Sequence, residues 1–226
     1  MSSSSFPSLS FEKEFFESGF DYIVGVDEVG RGALAGPVSV GLAVVSAQQV
    51  EDTPQWPSAL RDSKLISERN REKLYPLICK WVAGFGVGSA CASEIDAQGI
   101  IHSLAVSAER ASAQIIDASR FGRGVVLLDG SHNWLGHSFL GCPVVVRPKA
   151  DRDCVSVAAA SVIAKVTRDR EMIALAAEVD KLSAYKWDSN KGYASEAHIE
   201  AIRAFGPTTI HRQSWLRKIL GQDTLF

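Results

Sequence analysis

The sequence predicts an α/β domain, a mixed β-sheet covered by helices, with a small helical appendage at its C-terminal end. Three observations predict it. Short apolar, mostly Val-rich runs of strand length recur at residues 21–28, 37–46, 81–91, 124–130 and 142–148. Helically spaced apolar residues fill two of the connections and the long stretch after the last run. Past Leu182 the chain turns polar and aromatic, with no period. Strands and helices in that order build a layered sheet.

Taken in order, residues 1–20 are a Ser-rich tail and a short helix, in which "FEKEFFESGF" puts Phe11, Phe15 and Phe16 on one face and the charges opposite. The runs at 21–28 and 37–46 are joined by "AGP", a link short enough to make them antiparallel neighbours. "SERNREKLYPLICK" reads as a helix with Ser67 as N-cap. "WVAGFGVGSAC" is a third strand with alternating glycines, and one helix is expected over 93–120. "GVVLLDG" and "CPVVVRP" are two more strands, and the Ala-rich stretch from Asp153 to Leu182 is one long helix. Two short helices are expected at 195–205 and 212–220. The organisation is therefore 1–20 tail and helix, 21–182 main domain, 183–221 appendage and 222–226 tail.

Composition narrows the class. Hydrophobic residues at 46% and charged residues at 22% exclude disorder, and 226 residues suffice for a sizeable core. A net charge of −2 announces no polyanion by itself, so any nucleic-acid surface must be a local patch. Cys79, Cys91, Cys142 and Cys154 form no CxxC pair and read as free thiols of a reducing compartment. The N-terminus lacks the features of a secretory signal, and no run reaches the ~20 apolar residues of a spanning helix. A cytoplasmic protein away from membranes, monomeric, is the expectation.

Chemistry is concentrated in acids at strand ends. Asp27 and Glu28 close the first strand, Asp129 ends "VVLLDG", and Asp151 follows "CPVVVRPK". The C-terminal edge of an open α/β sheet is where sites are assembled. Several carboxylates brought together repel unless a divalent cation lies among them, and oxygen-only ligation favours Mg2+ or Mn2+ over zinc. Two such ions about 4 Å apart would activate water and stabilise a leaving oxygen in phosphodiester hydrolysis. Singly, each acid has a plainer reading, Asp129-Gly130 as a turn and Asp151 as a helix cap. Adjacent strand residues face opposite sides, so the strand is expected to end or twist near Val26–Glu28 if both acids serve one site.

Six segments, "GVDEVGRGALAGPV", "LRDSKLIS", "LLDG", "SVAAASVIAKVTRDR", "NKGYAS" and "FGPTTIHRQSW", resemble in this order the bacterial ribonuclease HII family over about residues 21–216. The resemblance implies an RNase H-like fold. It implies hydrolysis of the RNA strand of RNA–DNA hybrids, nicking 5′ of single ribonucleotides in duplex DNA, and hence roles in DNA repair and replication. By position it implies Asp27, Glu28, Asp129 and Asp151 as catalytic metal ligands, with Asp153 competing for the fourth place. Ala150 stands where the family usually has glycine, Asn190 where it has histidine, and Ala194 where it has a second glycine.

Substrate contacts follow in the same way. Gly30, Arg31 and Gly32 let backbone groups approach a nucleotide, and the 2′-hydroxyl is what separates RNA from DNA. The family implies that this loop reads it and that Tyr193 stacks on a sugar at the ribonucleotide junction. Without the resemblance, Tyr193 is equally a packed junction residue. Lys64, Lys165, Thr167 and Arg168 are phosphate contacts by the resemblance and solvated helix charges without it. None of His102, His132, His137, His198 and His211 forms a metal-spaced pair.

The terminal "GQDTLF" resembles the peptide by which bacterial repair and replication proteins dock on the sliding clamp, with Asp223 departing from the usual apolar residue. A packed terminus is the alternative. Two other readings of the whole chain remain open, a non-catalytic hybrid-binding module and a different polynucleotidyl transferase on the same fold. The four acids stand against the first; the GRG loop and Tyr193 stand against the second.

Overall fold

The computed structural model describes residues 6–53, 55–115, 122–178, 180–217 and 219–221. The elements are α1 (Ser10–Glu17), β1 (Tyr22–Val29), β2 (Val38–Ser46), α2 (Ala47–Asp52), α3 (Glu68–Trp81), β3 (Gly84–Ala90), α4 (Ala92–Gln98) and α5 (Ile100–Ser112). They continue with β4 (Gly124–Asp129), β5 (Ser138–Phe139), β6 (Cys142–Arg147), α6 (Ala150–Asp153), α7 (Val155–Glu178), α8 (Trp187–Asn190) and α9 (Glu196–Phe205). The strands form one mixed sheet in the order β3-β2-β1-β4-β6-β5. β1 pairs antiparallel with β2, as the short "AGP" link requires, and parallel with β4, which in turn pairs parallel with β6. The predicted mixed sheet flanked by helices is therefore the fold.

The strands are Val-rich because both faces are covered. All nine residues of β2 are buried, the pattern of a strand sandwiched between helical layers. One face packs Val24, Val26, Val40 and Leu42 against Leu104, Ala108 and Ala111 of α5. The other packs Ala43 and Val45 with Ala159, Val162 and Ile163 of α7 and with α3. The alternating glycines of β3 follow from the first face: a Cβ at Gly86 or Gly88 would run into the backbone carbonyl of Ala111 or Ser107 on α5. α1 and the turn after it seat Phe11, Phe15, Phe16 and Phe20 beside Ile23, Val125 and Val157.

Four expectations need correction. The helix expected over 93–120 is two helices, because Gly99 at φ 80° breaks it, and residues 116–121 lie outside the described residues. Where a helix is expected over 212–220, the described residues hold a 3-10 turn at Gln213–Trp215, where Asp96 accepts the N–H groups of Gln213 and Ser214. Glu12 does not join the charged outer face of α1: it is fully buried and accepts both the N–H and the hydroxyl of Ser156, near the start of α7. Finally, β1 does not end at Val26–Glu28. Its pairing with β2 stays regular to Val29↔Ser39, and only the ladder to β4 stops, at Val26↔Leu128.

Beyond α7 the chain folds back onto the body. Tyr185, Trp187, Ile202 and Leu216 share one apolar cluster with Leu34 and Ala35 after β1 and with Met172 of α7. The segment after α7 is thereby packed against the loop that carries the GRG sequence.

Candidate active site

Three neighbouring parallel strands deliver the acids. Asp27 lies near the C-terminal end of β1, Asp129 ends β4, and Asp151 stands in α6, just past the end of β6. Asp27 shares the strand face of Ile23 and Gly25 that meets α7, with the Ser161 side chain beside its carboxylate. Glu28 leaves the opposite face. Because β4 has already stopped, both border one cleft of about 430 Å³, lined also by Gly30, Arg31, Gly32, Ser63, Lys64, Ser161, Lys165 and Tyr193.

The connection into α6 holds Asp129. Lys149 takes the left-handed conformation, φ 62°, as the residue before α6. Ala150 is helical and buried, so the position where the family has glycine needs no positive φ here. The turn aims the Ala150 N–H at Asp129 Oδ1, 2.7 Å away, with the Asp151 N–H at 3.4 Å. Asp129 Oδ2 has no protein donor among the described residues. Asp153 turns elsewhere, to Arg152 at 2.7 Å and Arg147 at 3.4 Å, which hold its carboxyl below the usual range. The geometry groups Asp151, not Asp153, with Asp129.

Electrostatics mark the cluster as short of positive charge. Burial pushes Asp27 well above the usual carboxylate range, and Asp129, Glu28 and Asp151 add to the shift. Burial and Asp129 raise Asp151 to about 6. Glu28 is raised by burial and by Asp129, against the pull of Arg31, whose Nη1 lies 3.2 Å from Oε1. The Lys64 ammonium, 3.6 Å from Asp151 Oδ2, offsets part of this repulsion. Among the described residues no three acids already close around one point as a finished metal site. The donor set nonetheless fits a hard divalent cation: four carboxylates, mutually repelling, with no imidazole or thiolate among them.

Opposite the acids, Gly30 (φ 79°) opens the GRG loop, and its N–H donates to Tyr193 Oη at 3.1 Å. A Cβ at position 30 would overlap the Arg168 guanidinium. Tyr193 is 36% exposed, so its ring stays available on the cleft wall. Lys64 projects from a 3-10 turn, Ser63–Leu65, pinned by Ser161 Oγ to Ser63 Oγ and by Arg71, which donates to the carbonyls of Ser63 and Ile66. Lys165 borders the cleft and pairs with Asp169 at 2.6 Å; burial lowers its pKa.

Two expected phosphate contacts are not brought here. Arg168 is fully buried and spends its donors on the carbonyls of Pro37, Lys191 and Ala35, so it braces the loop and cannot reach a phosphate. Thr167 lies on another side of α7, beside Tyr75 of α3. Ser161, Arg71, Asp169 and Arg212 were missed. Lone polar residues inside the apolar "SVAAASVIAK" were the available signal for Ser161; nothing local marks the others. Residues 222–226, the expected clamp peptide, lie outside the described residues. Among the described residues no helix is long and apolar enough to cross a membrane.

Comparison with known proteins agrees with this architecture. Residues 24–218 match the family model described as Ribonuclease HII. The chain is 40% identical to the ribonuclease HII of Streptomyces griseus over 193 residues, covering 85% of this chain and 76% of that one. It is 35% identical to that of Thermosynechococcus vestitus, covering 96% and 94%. The crystal structure of the ribonuclease H2 from Pyrococcus horikoshii superposes with a TM-score of 0.65 at 25% identity, covering 89% of this chain and 98% of that one. The chain belongs to the ribonuclease HII family, a family of metal-dependent endonucleases.

Proposed function

We propose that the protein hydrolyses the RNA strand of RNA–DNA hybrids and nicks duplex DNA on the 5′ side of embedded ribonucleotides, leaving 3′-hydroxyl and 5′-phosphate ends. The observation that carries this is the shared cleft. Asp27 and Glu28, beside Asp129 and Asp151, border the same cleft as the GRG loop and Tyr193. Cutting chemistry and a reader of the sugar are thus separated in sequence by a single residue, Val29, between Glu28 and Gly30.

Asp27, Glu28, Asp129 and Asp151 would hold Mg2+ or Mn2+, two ions with substrate bound. When bound, such ions supply Lewis-acid stabilisation of the leaving 3′-oxygen and a hydroxide-like water at neutral pH. The chain's own groups do the rest. The amides of Ala150 and Asp151 fix the orientation of the Asp129 carboxylate before substrate arrives. Lys64 and Lys165 place positive charge along the cleft for the phosphate backbone. The backbone of Gly30–Gly32 meets the ribose, while the Tyr193 ring packs on the neighbouring sugar with its hydroxyl fixed by Gly30. Docking of Gln222–Phe226 on a sliding clamp remains part of the proposal, carried by the sequence resemblance alone.

The test is a hybrid duplex with its RNA strand end-labelled. RNA cleavage should require a divalent cation, disappear with chelator, and fall by several orders of magnitude in Asp27→Asn. RNA cleavage that survives both treatments would end the carboxylate mechanism.

A further inference from the structure

Two fully buried arginines, Arg168 and Arg212, lie beneath the GRG loop, and neither has a carboxylate within ion-pair distance among the described residues. A buried guanidinium without an acid costs stability unless its donors are all accepted. Arg212 meets that condition entirely with main-chain carbonyls. Its Nη2 donates to Gly30 O at 2.6 Å and Gly36 O at 3.2 Å, Nη1 to Arg31 O at 2.8 Å, and Nε to Gly36 O at 3.3 Å. Trp215 closes over its planar face, 4.8 Å from the ring centroid.

The consequence lies on the other side of the peptide planes. In a trans peptide the C=O of one residue and the N–H of the next point in opposite directions. Drawing the carbonyls of Gly30 and Arg31 inward therefore turns the N–H groups of Arg31 and Gly32 outward. Both residues are exposed and border the cleft. Neither N–H has a protein acceptor among the described residues, whereas those of Gly30, Ala33, Leu34, Ala35 and Gly36 are all taken. Two successive outward amides after a glycine at φ 79° form a concave donor pair suited to one electron-rich oxygen.

We propose that Arg212 is a specificity-determining positioning residue: by holding the Gly30 and Arg31 carbonyls inward, it presents the Arg31 and Gly32 amides to the 2′-oxygen of the ribonucleotide as a hydrogen-bond acceptor. This rests on the reading of the cleft as the site that takes a ribonucleotide. Arg212 itself touches no substrate. A lysine there would keep the charge and lose the planar fork that spans three carbonyls.

The experiment measures binding, in the cleavage-blocked Asp27→Asn background, of three duplexes: one embedded ribonucleotide, the same nucleotide with 2′-fluorine, and all DNA. Two amide hydrogen bonds predict that exchanging hydroxyl for fluorine weakens binding about 30-fold with Arg212 present. In Arg212→Lys that penalty should shrink to about threefold or less, with all-DNA binding unchanged; a fold defect alone would not selectively erase the hydroxyl preference. A full penalty retained in Arg212→Lys overturns the proposal. So does an equal loss of affinity for all three duplexes, which would place a phosphate oxygen on the amides. No penalty with Arg212 intact would refute the ribonucleotide reading itself, whatever Arg212 does. If Arg212→Lys gives no cooperative melt, Gly32→Pro removes one amide from an exposed position with open space around it. There the penalty should fall to about fivefold, half of the two-bond effect, and an unchanged penalty overturns the proposal.

Discussion

Replacing Gly25 by alanine tests how β1 and α7 together seat Asp27. A Cβ at position 25 would stand 2.6 Å from the Val157 amide nitrogen and closer still to the Ser156 carbonyl group. Nonbonded carbon contacts settle near 3.5 Å, so strand and helix must separate by about 1 Å. Both partners are backbone, in the middle of a sheet and at the start of a 24-residue helix, and no side chain can rotate out of the way. Overpacking of this kind costs about 2–3 kcal/mol, and in a domain of this length each kcal/mol lowers Tm by about 2–4 °C. Differential scanning calorimetry should therefore show a drop of roughly 5–10 °C. Asp27 is two residues further along the same face, and Ser161, beside its carboxylate, rides on α7. A misplacement of about 1 Å at a reacting centre costs about a hundredfold, so kcat on a hybrid should fall by that order even where the variant is fully folded. An alanine variant with unchanged Tm and kcat would refute the claim that this backbone contact fixes the carboxylate.

Three further outcomes follow from the same geometry. Asp151→Asn, in chelator at pH 7, should be more stable than the parent by about 1 kcal/mol after allowance for solvent screening, since the raised folded pKa, about 6, makes the charged form costly above that pH; chemical denaturation showing a loss instead would contradict the repulsive cluster. Burial, with His198 beside it, lowers His211 to about 4, so the unfolded chain binds the extra proton. Stability from this group is complete above pH 6.5 and is lost as pH falls toward 4; His211→Gln should be less pH-sensitive than the parent by on the order of 2 kcal/mol over that window, and equal pH slopes would contradict it. Glu12→Ala strips the Ser156 amide and hydroxyl of their acceptor and should cost about 2 kcal/mol in urea unfolding, whereas a cost below about 0.5 kcal/mol would show that α1 does not anchor α7.

The sheet, most of its helices and the acids at strand ends were legible in the sequence, because burial on both faces writes continuous Val-rich runs and acids interrupt them only at their ends. What the sequence did not disclose depends on contacts between distant segments. That β1 stays regular through Glu28 is visible only in its register against β2, and the opening of the cleft only in the earlier end of β4. Arg168 sits in a charged, helical "KVTRDR" and looks solvated; its burial follows from the segment after α7, which brings the Lys191 carbonyl, and from the loop between β1 and β2, which brings that of Pro37. The choice between Asp151 and Asp153 turned on the left-handed turn at Lys149, which no composition rule locates. Glu12 belongs with the same group: its helix predicts an exposed face, and its acceptor role appears only when α7 arrives.

The central claim is that one cleft both recognises a ribonucleotide and cuts beside it. The direct measurement is a duplex DNA carrying one ribonucleotide, incubated with Mn2+ or Mg2+, with the product ends mapped. The expected result is a single nick 5′ to the ribonucleotide, 3′-hydroxyl and 5′-phosphate ends, and no product from the all-DNA duplex or from Asp27→Asn. Equal cleavage of the ribonucleotide-containing and all-DNA duplexes would contradict it.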